Sequence, residues 1–181
     1  DELMEEAVSV MEKQGAEVIR LDKIGSGDGG RGSFQLMLYE FKDGLNKYLA
    51  SLGPDAPIKS LEELIAFNEQ DSIESLFDQG LLELAQEKAG LNTPEYQELL
   101  DKMLENTREK GIDEALATHQ IDAIIAPTGS AAWKIDPING DLFLGGSSSP
   151  AARAGYPNIT VPMGWIEDLP VGISFFSGAW T

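Results

Sequence analysis

The sequence predicts an α/β fold in which a mixed β-sheet is flanked by helices. Three observations carry this. Ile121-Asp122-Ala123-Ile124-Ile125-Ala126 is a continuous β-branched run closed by Pro127-Thr128-Gly129, the pattern of a buried strand of the parallel type, covered on both faces. Two shorter strand-like runs, Asn158 to Pro162 and Val171 to Phe176, lie close behind it. Most of residues 34–120 carries apolar residues at helical spacing.

Taken in order, the chain opens on an acidic amphipathic helix with Leu3, Met4, Ala7, Val8 and Met11 on one stripe, ended by Gly15. Glu17-Val18-Ile19-Arg20-Leu21 reads as a short strand. Phe34 to Leu52 is helical through Phe34, Met37, Leu38, Phe41, Leu45, Tyr48 and Leu49, and Gly53-Pro54 ends it. Ser60 and Glu63 form a capping box for a helix from Leu61 to Asn68. A further helix is expected from Ser72 through Leu76, Leu82 and Leu84 to Lys88, weakened by Gly80. Thr93-Pro94-Glu95 starts a helix with a cap, a first-turn proline and an acid on the dipole. It runs to Lys110, stops at Gly111, and Ile112 to His119 follows as another helix. Ser149-Pro150 is expected to cap a short helix from Ala151 to Ala154. The organisation is therefore a single α/β domain: helix and strand over 1–24, a flexible loop or introduced linker over 25–33, a helical layer over 34–120, and strands and loops over 121–181. An opening in mid-pattern and an end soon after a strand predict a fragment.

Composition narrows the function. The chain has 181 residues, enough for a sizeable core, and no cysteine, which removes disulfide scaffolds, thiolate metal sites and thiol nucleophiles. Thirteen basic residues against 31 acidic ones leave a formal net charge of −18. Such a surface repels phosphate backbones and anionic lipid, so neither a nucleic-acid partner nor a membrane is expected. The acids are spread along helices, where solubility explains them.

Gly25, Gly27 and Gly30 satisfy G-x-G-x-x-G after the expected strand. A dinucleotide turn needs one tight conformation leading straight into a helix. Here the run is too glycine-rich and the helix starts only near Phe34, so a flexible loop or linker is the better reading. His119 is the sole histidine. A helix C-terminus favours a partly positive imidazole there, and a catalytic pairing with Asp122 has little else behind it. One histidine and scattered carboxylates give no metal-ligand spacing. Lys134 reads as solvated surface, and Trp133, Phe143, Tyr156 and Trp165 as core packing before pocket lining.

Three segments near the end say more. Ile121 to Thr128 resembles the D-A-(apolar)₂-A-P-T strand of the amidase signature family. Gly145-Gly146-Ser147-Ser148-Ser149-Pro150-Ala151-Ala152, followed by Ala154-Gly155-Tyr156-Pro157-Asn158-Ile159-Thr160-Val161-Pro162, resembles the stretch after it. Leu169-Pro170-Val171-Gly172-Ile173-Ser174-Phe175-Phe176 resembles the family's L-P-V-G-(apolar)-x-F-F close. Gly15-Ala16-Glu17-Val18 resembles its G-A-E-V stretch, which follows the catalytic half.

The resemblance implies a partial amidase-signature fold, from an amidase or a hydrolase like the amidase component of glutamyl-tRNA amidotransferase. Such enzymes cleave carboxamide C–N bonds with a Ser–cis-Ser–Lys triad and backbone oxyanion donors, and need no cofactor. It also implies that the triad lies upstream, on a catalytic half not contained in this sequence. Ser147-Ser148-Ser149 lacks the second glycine pair of the nucleophile loop, so no catalytic residue is expected here, and Ser149 reads as a helix cap. Residues resembling pocket positions for a small carboxamide are Thr128, Trp133, Ser147, Ser148 and Ser149. The fragment reading predicts apolar exposure at the sheet edge where the missing half sits. Its rivals are a non-enzymatic acidic interaction domain, with an apolar patch on the Phe34–Leu52 or Pro94–Lys110 helix, and a nucleotide-binding domain built on the glycine run.

Overall fold

The computed structural model describes residues 2–74 and 78–180. The chain divides into two compact units, Asp1–Gly30 with Met103–Thr181, and Arg31–Lys102.

The first unit is an α/β layer structure. Helix α1 spans Glu2–Lys13 and buries Val8 on its apolar stripe. Gly15, at φ 98°, turns the chain, a conformation that costs glycine little. Residues 17–21 do not form the expected strand. An isolated run has no ladder to join, and Arg20 instead returns to α1, where its guanidinium meets the Glu5 carboxylate at 3.0 and 2.5 Å.

The sheet has three strands: β1 (Ile124–Pro127), β2 (Asn158–Ile166) and β3 (Leu169–Phe176), in the order β1-β3-β2. Both pairings are antiparallel. Helices flank the sheet as expected, but the first strand starts three residues late, lies at an edge and does not pair in parallel. Among the described residues its neighbour is β3, the return arm of the β2–β3 hairpin; β1 runs in the same direction as β2 and so meets β3 antiparallel. A bulge between Pro162 and Gly164 shifts the β2 register, placing Gly164 under α1. A Cβ there would come within 2.8 Å of Leu3 Cδ2.

Alternation puts Ile124 and Ala126 of β1, Ser174 and Phe176 of β3 and Thr160 of β2 on one face. The apolar members of that face pack with Ile112, Ala115, Ala151 and Ala154 into one core. These last four come from the segment Arg108–Ile112, α6 (Asp113–His119) and α7 (Ser148–Ala154). Ile112 is fully buried and Phe176 nearly so; each such side chain contributes about 1.5–3 kcal/mol. Val171 and Ile173, also buried, face the other way.

The predicted stop at Gly111 takes the form of a kink. Helix α5 (Pro94–Thr107) runs into a wide π-type turn over Arg108–Ile112, inside which Gly111 is non-helical at φ −115°, ψ −111°. The glycine run lies against this turn. The Gly27 amide donates to the Lys110 carbonyl at 2.7 Å. A Cβ on Gly25 would sit 2.3 Å from Lys110 O, and one on Gly27 2.1 Å from Asn106 O. Arg153 Nη1 donates to Gly29 O at 2.6 Å. These glycines permit backbone-to-backbone approach at a helix joint.

The second unit holds α2 (Ser33–Ser51), α3 (Leu61–Gln70) and α4 (Gly80–Gln86). Leu38, Leu61 and Ala85 form its core, with Leu45, Leu64, Ile65 and Leu82 around them. The expected cap forms, with Ser60 Oγ accepting from the Glu63 amide, and Glu63 Oε2 reaches back one residue further, to the Lys59 amide. The helix expected from Ser72 begins only at Gly80; Leu76 lies outside the described residues. Asp71 holds the Ile73 and Glu74 amides in a turn instead.

Candidate functional site

The end of β1 and the start of α7 meet in a short antiparallel bridge between Gly129 and Gly146. Ser147 N donates to Thr128 O at 3.1 Å, and Thr128 N donates to Gly172 O at 2.8 Å. Thr128 is thus held by backbone contacts from both sides. A Cβ on Gly146 would come within 2.8 Å of Thr128 O, so only glycine lets the two segments close to this distance.

The Thr128 side chain joins a group of hydroxyls lying across the three strands. Its Oγ1 lies 2.9 Å from Ser174 Oγ and donates to Thr160 Oγ1 at 3.4 Å. Thr160 Oγ1 and Ser174 Oγ are 3.1 Å apart. Ser174 is fully buried. Gly172, two residues back on β3, makes the arrangement fit, since a Cβ there would lie 2.8 Å from Thr160 Cγ2 and 3.0 Å from Thr128 Oγ1. Beside this group, Ser147 Oγ and Ser130 Oγ are buried with no hydrogen-bond partner. A buried hydroxyl left this way carries a desolvation cost that a further polar group would relieve.

Two anchors position the Ser147–Ala154 segment. Arg108 Nε donates to Ala154 O at 2.6 Å, and its guanidinium lies over the Tyr156 ring at 5.6 Å. Tyr156 donates to Asp113 Oδ2 at 2.9 Å. Burial, reinforced by the Asp113 carboxylate, raises the phenol pKa above its ordinary value and keeps it a donor.

Of the expected pocket residues, the structure joins Thr128 and Ser147. Ser148 is exposed at the start of α7, and Ser149 lies inside that helix, so the expected cap role of Ser149 is corrected. The helix begins earlier than its proline suggested. Trp133 stands elsewhere, donating from Nε1 to Asp141 at 3.1 Å and meeting Phe143 edge-on. Phe143 and Trp165 are exposed, against the core role expected of them, whereas Tyr156 packs beside the core. Lys134 is exposed, and His119 ends α6 exposed to solvent. Sequence reading missed Ser130, Thr160 and Ser174. Strand alternation opposite Thr128 was the signal for the last two, but it needed the register.

Among the described residues no three acidic or histidine side chains gather as a metal site, and no helix is long and apolar enough to cross a membrane.

A three-stranded antiparallel sheet flanked by helices, with Thr128, Thr160 and Ser174 joined across it, defines an α/β protein. The amidase family model matches residues 1–181, and the chain belongs to the amidase family. Among solved structures it is similar to a peptide amidase in complex with the competitive inhibitor chymostatin, at 43% identity and a TM-score of 0.89. The native peptide amidase from Stenotrophomonas maltophilia gives 43% and 0.85, and an amidase family protein from Bacillus anthracis gives 26% and 0.75. Each match covers 98% of this chain, but only 36%, 36% and 32% of those structures respectively. The chain thus spans about a third of the solved amidases it resembles. No curated protein sequence matches it.

Proposed function

We propose that this chain is the C-terminal part of an amidase-signature hydrolase that cleaves carboxamide C–N bonds, and that it supplies sheet and pocket wall but not the triad. The observation that carries this is the match over 98% of the chain to about a third of each of two peptide amidase structures. Thr128 and Ser147, with Ser148 and Ser149 on the adjoining helix, form the wall facing the carboxamide. The unpartnered hydroxyls of Ser130 and Ser147 suit a ligand that both donates and accepts hydrogen bonds, as an amide does. Trp133, which stands apart from this group against Asp141 and Phe143, takes no part in that wall, and the reaction is proposed to use no metal or cofactor.

The partner is the catalytic half of the same enzyme. Edge strand β2 leaves Ile159 and Trp165 62% and 66% exposed, and the loop before α7 leaves Ile135 and Ile138 92% and 90% exposed. Apolar area on this scale marks a surface that another polypeptide covers. Peptide amides are the first substrates to test, because two of the similar structures are named peptide amidases. This chain alone is expected to be inert towards several carboxamides, and co-expression with the remaining segment of the parent enzyme is expected to restore turnover. Enzyme-like turnover by the isolated chain would refute this assignment of roles.

The interaction-domain reading keeps one observation in its favour. Helix α2 exposes Phe34, Met37, Phe41 and Tyr48 along one stripe, with Leu52 at its C-cap, which fits a docking face for a helix of another protein.

A further inference from the structure

We infer that Ser174 and Thr160 fix the Thr128 hydroxyl as a hydrogen-bond acceptor, so that the group it recognises is an N–H of the carboxamide and not its carbonyl oxygen. This rests on the proposed carboxamide pocket. Three hydroxyls carry three protons, and three contacts join them. Thr128 donates to Thr160. Its proton is then spent, so the 2.9 Å contact with Ser174 must be a donation from Ser174. Ser174 has likewise spent its own, so the 3.1 Å contact between Thr160 and Ser174 must be a donation from Thr160. The ring is closed and runs one way.

A hydroxyl offers one donor and two acceptor lone pairs. In this ring each oxygen donates once and accepts once, which leaves one lone pair and no proton. Thr128, half-buried at the strand end, therefore presents only a lone pair to what docks against it. Ser174 is fully buried, out of direct reach of a docking group. It is a positioning residue, acting through Thr128. Gly172 is a second one, since a Cβ there would crowd both threonines. A carboxamide nitrogen carries the matching donor; an ester oxygen in the same place does not.

The test uses the full-length enzyme containing this segment, with a peptide amide and the corresponding methyl ester. Thr160→Val removes the oxygen that takes the Thr128 proton and frees that proton to point outward. It is expected to lower the ratio of amide to ester kcat/KM by about three- to tenfold, the worth of one hydrogen bond. Thr160 is exposed on its strand, so the variant is expected to fold. A ratio unchanged within about twofold, including a parallel loss on both substrates, overturns the inference while leaving the carboxamide pocket standing. Failure of the unsubstituted enzyme to hydrolyse any amide removes the pocket itself, and the inference with it.

Discussion

Glu114 on α6 accepts two hydrogen bonds from Ser26, from its amide at 2.6 Å and its hydroxyl at 2.5 Å. That single carboxylate fastens the glycine run to the helix it faces, 88 residues away in sequence.

The Ser26 hydroxyl and amide hold the Glu114 carboxyl below its ordinary value of 4.5. A depressed folded-state pKa means that the native state favours the ionised form. The stabilisation is complete above the unfolded pKa and disappears as pH falls through the lower folded one. Hydrogen exchange at the Ser26 amide should therefore lose protection as the solution is acidified below about pH 4. Glu114→Gln should show weaker protection already at pH 7, with no acid-dependent change. Equal protection at pH 7 and pH 3 in the unsubstituted protein would contradict this.

Two glycines should respond in opposite directions to alanine. Gly27→Ala places a Cβ 2.1 Å from the Asn106 carbonyl, a backbone atom that cannot rotate away. It should destabilise by roughly 1–3 kcal/mol, the range for overpacking. Gly44 lies inside α2 with nothing within 4 Å of an added Cβ. Gly44→Ala should stabilise by about 0.5–1 kcal/mol. Urea unfolding midpoints of the two variants should fall on opposite sides of the parent value.

Ser60→Ala removes the side chain that accepts from Glu63 N at 3.2 Å. It should cost about 1 kcal/mol in the Arg31–Lys102 unit, and Ser60→Asp should recover most of it. Chemical denaturation followed by helical circular dichroism measures both.

Tyr156→Phe deletes the hydrogen bond to Asp113 while keeping the ring under Arg108. The expected loss is about 1 kcal/mol. Exchange should quicken at the Ala151–Tyr156 amides before the rest of the sheet. Uniform quickening across β3 would show that the tyrosine acts on global stability instead.

Much of this was legible in the sequence because it rests on local rules. The periodicity of Phe34 to Leu52, the Ser60–Glu63 box and the Gly111 break each depend on neighbours within a turn, and each element stands within a few residues of its expected place. The end of β1, the α7 segment and β3 were also marked as belonging together, by their resemblance to one family. What local rules cannot reach is partnership across the chain. Glu17–Leu21 has a strand's composition but no strand beside it. Ile124–Pro127 is as apolar as a central parallel strand, yet among the described residues it pairs antiparallel with β3 at the end of the strand order. Gly25–Gly30 looks like slack in sequence and is tight in space, because glycine's missing Cβ serves equally for flexibility and for close approach. Above all, Thr128, Thr160 and Ser174 are separated by dozens of residues or by a turn. The sequence determined that Thr160 and Ser174 were hydroxyls on strands and Thr128 one just past a strand's end; only the register of three strands decided that the hydroxyls meet.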